Sequence, residues 1–284
     1  DGFIKFELAT GRKIRTRDVR VPVDFDPFQF NVQIAPNLST VAALKGGKVE
    51  LWDLGTGERL QLLSHPDGAI AKLAFSADGQ FLATAGNSSG IYLWKTSDWS
   101  SHRLAKPPAA ADAGAGIAFS PSGRYLAVKV GGANGLLFDL RSGGEPVPLR
   151  GLGNTRLVFS RDETRLAAGA TTNVIQIWDV RTRRLTATLR GPMGGVFGLA
   201  FAPDGRTLAS CSLDNFVRLW NLDLMEETLK LPGVRGASGT TMFSPDGTAL
   251  VANASGERIQ IWRAPSWEEI AAAEKAQAVS ETPH

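Results

Sequence analysis

This sequence predicts an all-β chain built from one small sheet repeated many times, and three observations carry that prediction. An apolar landmark, aromatic in five of six cases, precedes a tight turn at Ile34, Phe75, Phe119, Phe159, Phe201 and Phe243, at spacings of 41, 44, 40, 42 and 42 residues. A second aromatic closes a later strand at Trp52, Trp94, Phe138, Trp178, Trp220 and Trp262, at spacings of 42, 44, 40, 42 and 42. The residues between these landmarks read as strand, turn, strand, turn, strand. In residues 201–222 the turns are Pro203-Asp204-Gly205 and Leu213-Asp214-Asn215. Proline presets φ at one turn position, and glycine accepts the left-handed backbone that a short hairpin needs. Phe216-Val217-Arg218-Leu219-Trp220 is β-branched or aromatic with a single charge, which is strand chemistry. A period of about 40–45 residues with four strands per unit is the signature of a propeller blade.

In chain order, residues 2–8 match the later Trp strand, with Phe6 in the Trp place, and Ala9-Thr10-Gly11 repeats the turn of Gly55-Thr56-Gly57. Full repeats follow at about 29–64, 69–105, 114–150, 155–190, 196–231 and 238–271. The propeller is expected to span residues 1–272, with 1–23 a partial first blade and linker and 273–284 a disordered tail. Seven blades with an incomplete first blade is the expected closure; six blades plus an N-terminal hairpin is the alternative. The start at Asp1, inside a repeat, reads as a piece cut from a longer chain.

A lone four-stranded sheet exposes two faces, and a neighbouring blade covers each. Its strands therefore need apolar residues on both faces, as in Ile175-Gln176-Ile177-Trp178. The aromatics Phe6, Trp52, Trp94, Phe138, Trp178, Trp220 and Trp262 are assigned to the wedges between blades.

Composition is consistent with a folded domain: 43% of residues are apolar and 8% aromatic. No run approaches the 18 apolar residues of a membrane span, and no signal-peptide pattern opens the chain. A net charge of +3 permits an acidic partner without requiring one. Cys211 alone cannot form an internal disulfide and is expected to be a buried, inert thiol.

The Trp-Asp pairs Trp52-Asp53 and Trp178-Asp179, the related Trp220-Asn221, and Phe-Ser-Pro-Asp-Gly at 243–247 resemble the WD40 repeat family over nearly the whole chain. That resemblance implies a WD40-like β-propeller acting as a non-catalytic protein–protein interaction scaffold. It also implies a buried network of Trp, Ser or Thr, His and Asp in each blade. Here the network is broken up. The repeat at 69–105 keeps His65, Thr84 and Trp94 but has Ser88 in the Asp position. The repeat at 196–231 keeps Ser210, Asp214 and Trp220 but has Pro192-Met193 in the His position. Apolar packing is expected to hold the ring more than polar networks do. The segment Arg263-Ala264-Pro265-Ser266-Trp267-Glu268-Glu269-Ile270 resembles the close of WD40 regions attached to bacterial serine/threonine protein kinases. It implies a sensor or docking region of a larger signalling protein.

Candidate sites are few. The only histidines are His65, His102 and His284, and no Ser–His–Asp or Cys–His arrangement is suggested. No catalytic residue, metal site or cofactor is assigned, and the Gly-rich 131–135 reads as a loosened hairpin between strands rather than a phosphate cradle. Basic clusters at Arg12, Lys13, Arg15, Arg17 and Arg20, and at Arg181, Arg183, Arg184 and Arg190, lack the interleaved aromatics that stack bases, so nucleic acid is not the expected partner.

The loops before inner strands and before the Trp strands are the expected binding surface for a protein or peptide. They carry Asp67, Asn87, Asn134, Arg150, Asn154, Asn173, Met193, Asp214, Asn215, Arg235 and Asn253. Trp99 and Trp267, each five residues after a ladder Trp, are rim candidates; packing against their own blade is the plainer reading. The expected compartment is the cytoplasm, with an extracytoplasmic domain of a membrane-anchored parent as the alternative. The rival function is an enzyme using the central channel. It needs acids and bases on inner strands, and those strands carry almost none.

Overall fold

A computed structural model describes residues 5–6, 13–14, 32–86, 89–106, 116–131, 134–153, 156–232, 241–253 and 259–264. Every element there is a β-strand. A hairpin of β1 (Lys5–Phe6) and β2 (Lys13–Ile14) comes first. Blade 1 is β3 (Val32–Ile34), β4 (Thr40–Lys45), β5 (Lys48–Asp53) and β6 (Arg59–Leu63). Blade 2 is β7 (Lys72–Phe75), β8 (Phe81–Ala85), β9 (Ile91–Lys95) and β10 (Ser101–Ala105). Blade 3 is β11 (Ile117–Phe119), β12 (Tyr125–Val130), β13 (Asn134–Asp139) and β14 (Val147–Arg150). Blade 4 is β15 (Leu157–Phe159), β16 (Arg165–Gly169), β17 (Val174–Asp179) and β18 (Arg184–Arg190). Blade 5 is β19 (Val196–Phe201), β20 (Thr207–Ser212), β21 (Phe216–Asn221) and β22 (Glu226–Pro232). Blade 6 shows β23 (Thr241–Phe243), β24 (Ala249–Asn253) and β25 (Ile259–Arg263).

Each sheet is an antiparallel meander in chain order. The register is the same in each. The apolar residue before the first turn sits two strands from the ladder aromatic, joined through one pivot: Phe75–Leu82–Trp94, Phe159–Leu166–Trp178, Phe201–Leu208–Trp220. Trp94, Trp178 and Trp220 therefore hold equivalent places in their blades.

The core follows the blade boundaries. One apolar cluster joins each successive pair of blades. Trp94 lies in the cluster shared with blade 1, Phe138 in that shared with blade 2, Trp178 with blade 3, Trp220 with blade 4 and Trp262 with blade 5. The period of two along a strand explains this. Ile175 and Ile177 face forward to blade 5, while Trp178 faces back to blade 3. Every ladder aromatic from Trp94 onward thus seals its blade to the preceding one. The side chain of Phe6 lies outside the described residues.

The repeat pattern did not show the outer-strand bulges or the non-glycine residues that hold left-handed turn positions in two blades. Opposite Trp52, Trp178 and Trp220 the outer strand carries a β-bulge, with Leu60, Thr186 and Thr228 as the extra residues. The hydroxyls of Thr186 and Thr228 donate to the carbonyls of Ile177 and Leu219, at 2.9 and 3.1 Å. The first turn of each blade needs a left-handed residue four positions after the landmark. Gly79, Gly123, Gly205 and Gly247 supply it, but Leu38 (φ 57°) and Glu163 (φ 60°) do so in blades 1 and 4. Glu163 is compensated there, because its carboxylate accepts from the backbone N–H and the hydroxyl of Ser122 in blade 3.

Candidate binding surface

A meander places the first and third turns of every blade at one end, and the second turn and the interblade loop at the other. The second end, the upper one, gathers the loops named above. In blades 2 and 5 the conformation of these loops is set by polar groups buried beneath them.

In blade 2, His65 comes up from the loop after β6 and is 6% exposed. Its Nε2 lies 2.7 Å from Thr84 Oγ1, and its Nδ1 2.7 Å from Ser89 Oγ. Trp94 Nε1 donates to Thr84 Oγ1 at 2.8 Å, and Ser89 Oγ donates to the Ala69 carbonyl at 3.0 Å. One assignment satisfies all four bonds: Trp94 N–H to Thr84, Thr84 O–H to a neutral His65 Nε2, His65 Nδ1–H to Ser89, Ser89 O–H to Ala69. Burial pulls the His65 imidazole down to about 4, outweighing the opposite pull of the Asp67 carboxylate. Ser89 therefore meets His65 Nδ1, one position beyond the Ser88 that the repeat pattern puts in the Asp position; Ser88 lies outside the described residues.

Asp67 closes the same loop. Its two oxygens accept from Gly90 N–H at 3.1 and 3.3 Å, and Arg103 stands 3.8 Å away. Burial works against ionisation, but the Gly90 amide, the Tyr92 hydroxyl and nearby His65 together hold the carboxyl below its usual range.

Blade 5 reaches the same end by a different route. Trp220 Nε1 donates to Ser210 Oγ at 2.8 Å, as expected. Asp214 has no histidine, and Arg218, from the middle of β21, takes its place. Arg218 NH2 reaches Asp214 Oδ2 at 2.6 Å and NH1 reaches Oδ1 at 3.0 Å. Asp214 also accepts from Ser212 O–H, from Phe216 N–H at 3.2 Å and from Met193 N–H at 2.8 Å. Burial opposes the charge on Asp214, yet Arg218 and these donors hold it far below the ordinary carboxylate range. The Arg218 side chain is 2% exposed, and its Nε stands 3.1 Å from Glu227 Oε2 but off the hydrogen-bonding axis.

Other ladder tryptophans have no such partner. The indole N–H groups of Trp52 and Trp178 are buried and unbonded, because Ala43 and Ala168 stand where Thr84 and Ser210 stand in blades 2 and 5. Apolar packing holds the Trp178 wedge without a polar partner, while polar networks reinforce blades 2 and 5.

The remaining candidates fall as follows. Asn134 and Arg150 are exposed and face each other across β13 and β14, and the Asn134 carbonyl accepts from Lys129 Nζ at 2.9 Å. Asn173 and Asn215 occupy left-handed turn positions, φ 66° and 65°. The Asn173 amide nitrogen, turned toward them, donates to the Gly194 and Thr171 carbonyls at 3.3 Å. Met193 is 81% exposed. Asn253 ends β24, with its side chain outside the described residues; Asn87, Asn154, Arg235 and Trp267 lie outside them altogether. Trp99 is not at the upper end. It takes a left-handed backbone (φ 57°) in the third turn of blade 2 and packs, half-buried, on the core shared with blade 1. Arg181, Arg183 and Arg184 occupy the lower end of blade 4, whereas Arg190 ends β18 at the upper end.

Sequence reasoning did not identify Arg218 or Ser89 as partners. One signal for Arg218 was available: it is the only arginine two residues before a ladder aromatic, in the one unit that keeps Asp but lacks His. Lys72, at the head of inner strand β7, and Lys129 are also withdrawn from water, and burial lowers both.

Among known families, the WD domain, G-beta repeat, matches residues 57–95 and 183–221. Each matched segment runs from the outer strand of one blade through the third strand of the next, so the sequence repeat straddles the blade boundary. The fold is that of a WD40-like β-propeller. The two matched segments contain the two tryptophans with hydroxyl partners, Trp94 and Trp220. WD40 repeats generally act as protein–protein interaction scaffolds. No curated protein matches the chain. Among the described residues, no group of His, Cys, Asp or Glu is arranged to hold a metal ion, and no helix is long and apolar enough to cross a membrane.

Proposed function

We propose that this propeller is a non-catalytic docking platform whose upper end binds a protein or peptide partner. One observation supports it above the rest: the upper loops of blades 2 and 5 are fixed from beneath by buried bonds, at His65 and at Asp214, while their outer side chains stay exposed. Pre-ordered loops lose little conformational freedom on binding, which favours affinity. The test is capture of partners by the immobilised chain from the source cell, followed by titration of the captured protein. Arg150→Glu and Met193→Ser at the upper end should weaken binding, and Arg161→Glu at the lower end should not. Equal binding by all three variants would contradict the reading.

Within that reading, the chain serves as the sensor or docking region of a bacterial serine/threonine protein kinase in the cytoplasm. The support is the resemblance carried by residues 263–270. Sequencing the parent gene tests it: a kinase catalytic-loop signature upstream of Asp1 supports the assignment, and a full upstream reading frame without one removes it.

A further inference from the structure

The loop between blades 4 and 5 and the neighbouring second turn of blade 5 each present a large apolar side chain outward. Met193 is 81% exposed and Leu213 51%. Their two chain segments lie side by side: a Cβ built on Gly194, next to Met193, would lie 2.9 Å from Leu213 Cβ, and Leu213 N–H donates to the Gly195 carbonyl at 3.1 Å. Neither can retract easily. Asp214 holds the Met193 N–H at 2.8 Å and is itself clamped by Arg218 at 2.6 Å. Pro192, beside Met193, is buried. Single exposed apolar residues are ordinary, but an adjacent pair held outward by a buried ion pair is a standing cost to the free chain.

The surroundings are basic. Lys230 Nζ sits 3.9 Å above the Phe216 ring, and Phe216 N–H bonds to the same Asp214 that holds Met193. Arg190 ends β18 three residues before Met193 and is exposed. Neither Arg190 nor Lys230 has a carboxylate partner among the described residues. The nearby acids are already engaged: Asp214 with Arg218, and Glu227 beside Arg218 Nε.

We propose that Met193 and Leu213, flanked by Arg190 and Lys230, form the docking site for an acidic peptide segment carrying a large apolar side chain. The inference rests on the platform reading above and names the partner chemistry for it. The apolar side chain covers Met193 and Leu213, where the flexible thioether adapts to its shape. Carboxylates of the segment meet Arg190 and Lys230 and steer its approach. A nucleic acid fits poorly, since two cations give a short electrostatic track and Phe216 is already covered by Lys230.

The test is panning of a random peptide display library against the full 284-residue chain. Enriched peptides are synthesised and titrated by fluorescence anisotropy at low and high salt. Enriched sequences should combine Leu, Phe or Trp with several Asp or Glu. The double variant Met193→Ser with Leu213→Ser should weaken binding about tenfold or more. Arg190→Glu with Lys230→Glu should weaken it comparably and remove the salt dependence. The lower-end variant Arg161→Glu with Arg183→Glu should bind within about twofold of the parent chain, by the same affinity scale. All substituted side chains are exposed, and an unchanged circular dichroism melt certifies the fold of each variant. Peptides that bind with equal affinity to every variant would overturn this site and leave the platform reading standing. Enrichment of non-acidic peptides at this site would overturn the charge assignment. A library yielding no peptide at all would count against both.

Discussion

Arg218 and Asp214 meet at 2.6 Å beneath the upper surface of blade 5, with side-chain exposures of 2% and 9%. A guanidinium from the third strand thus does what the imidazole of His65 does in blade 2: it anchors the interblade loop to the strands below. Removing one partner of a buried pair leaves an uncompensated charge. Arg218→Met should therefore destabilise the chain by about 3–5 kcal/mol. Adding Asp214→Asn to that variant should recover part of the loss. Urea denaturation of both single variants and the double variant measures the coupling.

Acidification should weaken blade 2 before blade 5. His65 stands at about 4 in the folded chain and near 6.5 when unfolded, so the folded state binds fewer protons between those values. Its contribution is fully present above pH 6.5 and is lost as pH falls through about 4. That difference, reduced for the solvent that still reaches the ring, is worth on the order of 2 kcal/mol. Asp214 is depressed from 3.8, so its contribution is present above that value and is lost only below it. Urea midpoints between pH 7.5 and 4 should decline, and Ser89→Asp, which places a carboxylate against His65 Nδ1, should flatten that decline.

The unbonded indole of Trp178 offers a gain. Ala168 holds the position that Thr84 and Ser210 hold relative to Trp94 and Trp220, ten residues before the indole in each case. Ala168→Ser should give the Trp178 N–H an acceptor and raise stability by about 0.5–1.5 kcal/mol. Thermal unfolding measures the change; a lower melting temperature would show that the hydroxyl does not reach the ring.

Leu38 adopts φ 57° in a turn where four other blades use glycine, and it is 65% exposed. It gains little packing and bears the cost of Cβ crowding. Leu38→Gly should stabilise by about 0.5–1 kcal/mol, the relief of left-handed strain exceeding the added freedom of the unfolded chain. The matching change Glu163→Gly should not help, because it deletes the bonds to Ser122.

The blades were legible because their determinants are local and periodic. Phe201, Pro203-Asp204-Gly205 and Trp220 each fix one turn or one wedge, and the same choices recur at near-constant intervals. The loops were legible as a set, since a meander must send alternate turns to the same end. Their anchors were not. Arg218 reaches Asp214 only because β21 pairs with β20 in one register, and nothing in the spacing of the two residues distinguishes an ion pair from two solvated charges. Ser89 likewise meets His65 one position beyond the residue to which the repeat pattern points. Trp99 read as a rim residue packed on its own blade, and its left-handed backbone sets it, half-buried, on the core shared with blade 1.

The central claim is that each ladder aromatic from Trp94 onward seals its own blade to the one before it. Amide hydrogen exchange of Trp220→Ala, with an expected loss of about 3–5 kcal/mol, tests that claim most directly. The account predicts that β16, β17 and β19–β21, which border the damaged wedge, lose protection first, while β4 and β8 at the interface of blades 1 and 2 keep theirs. Protection lost equally in all blades, or kept at β19–β21, would contradict it.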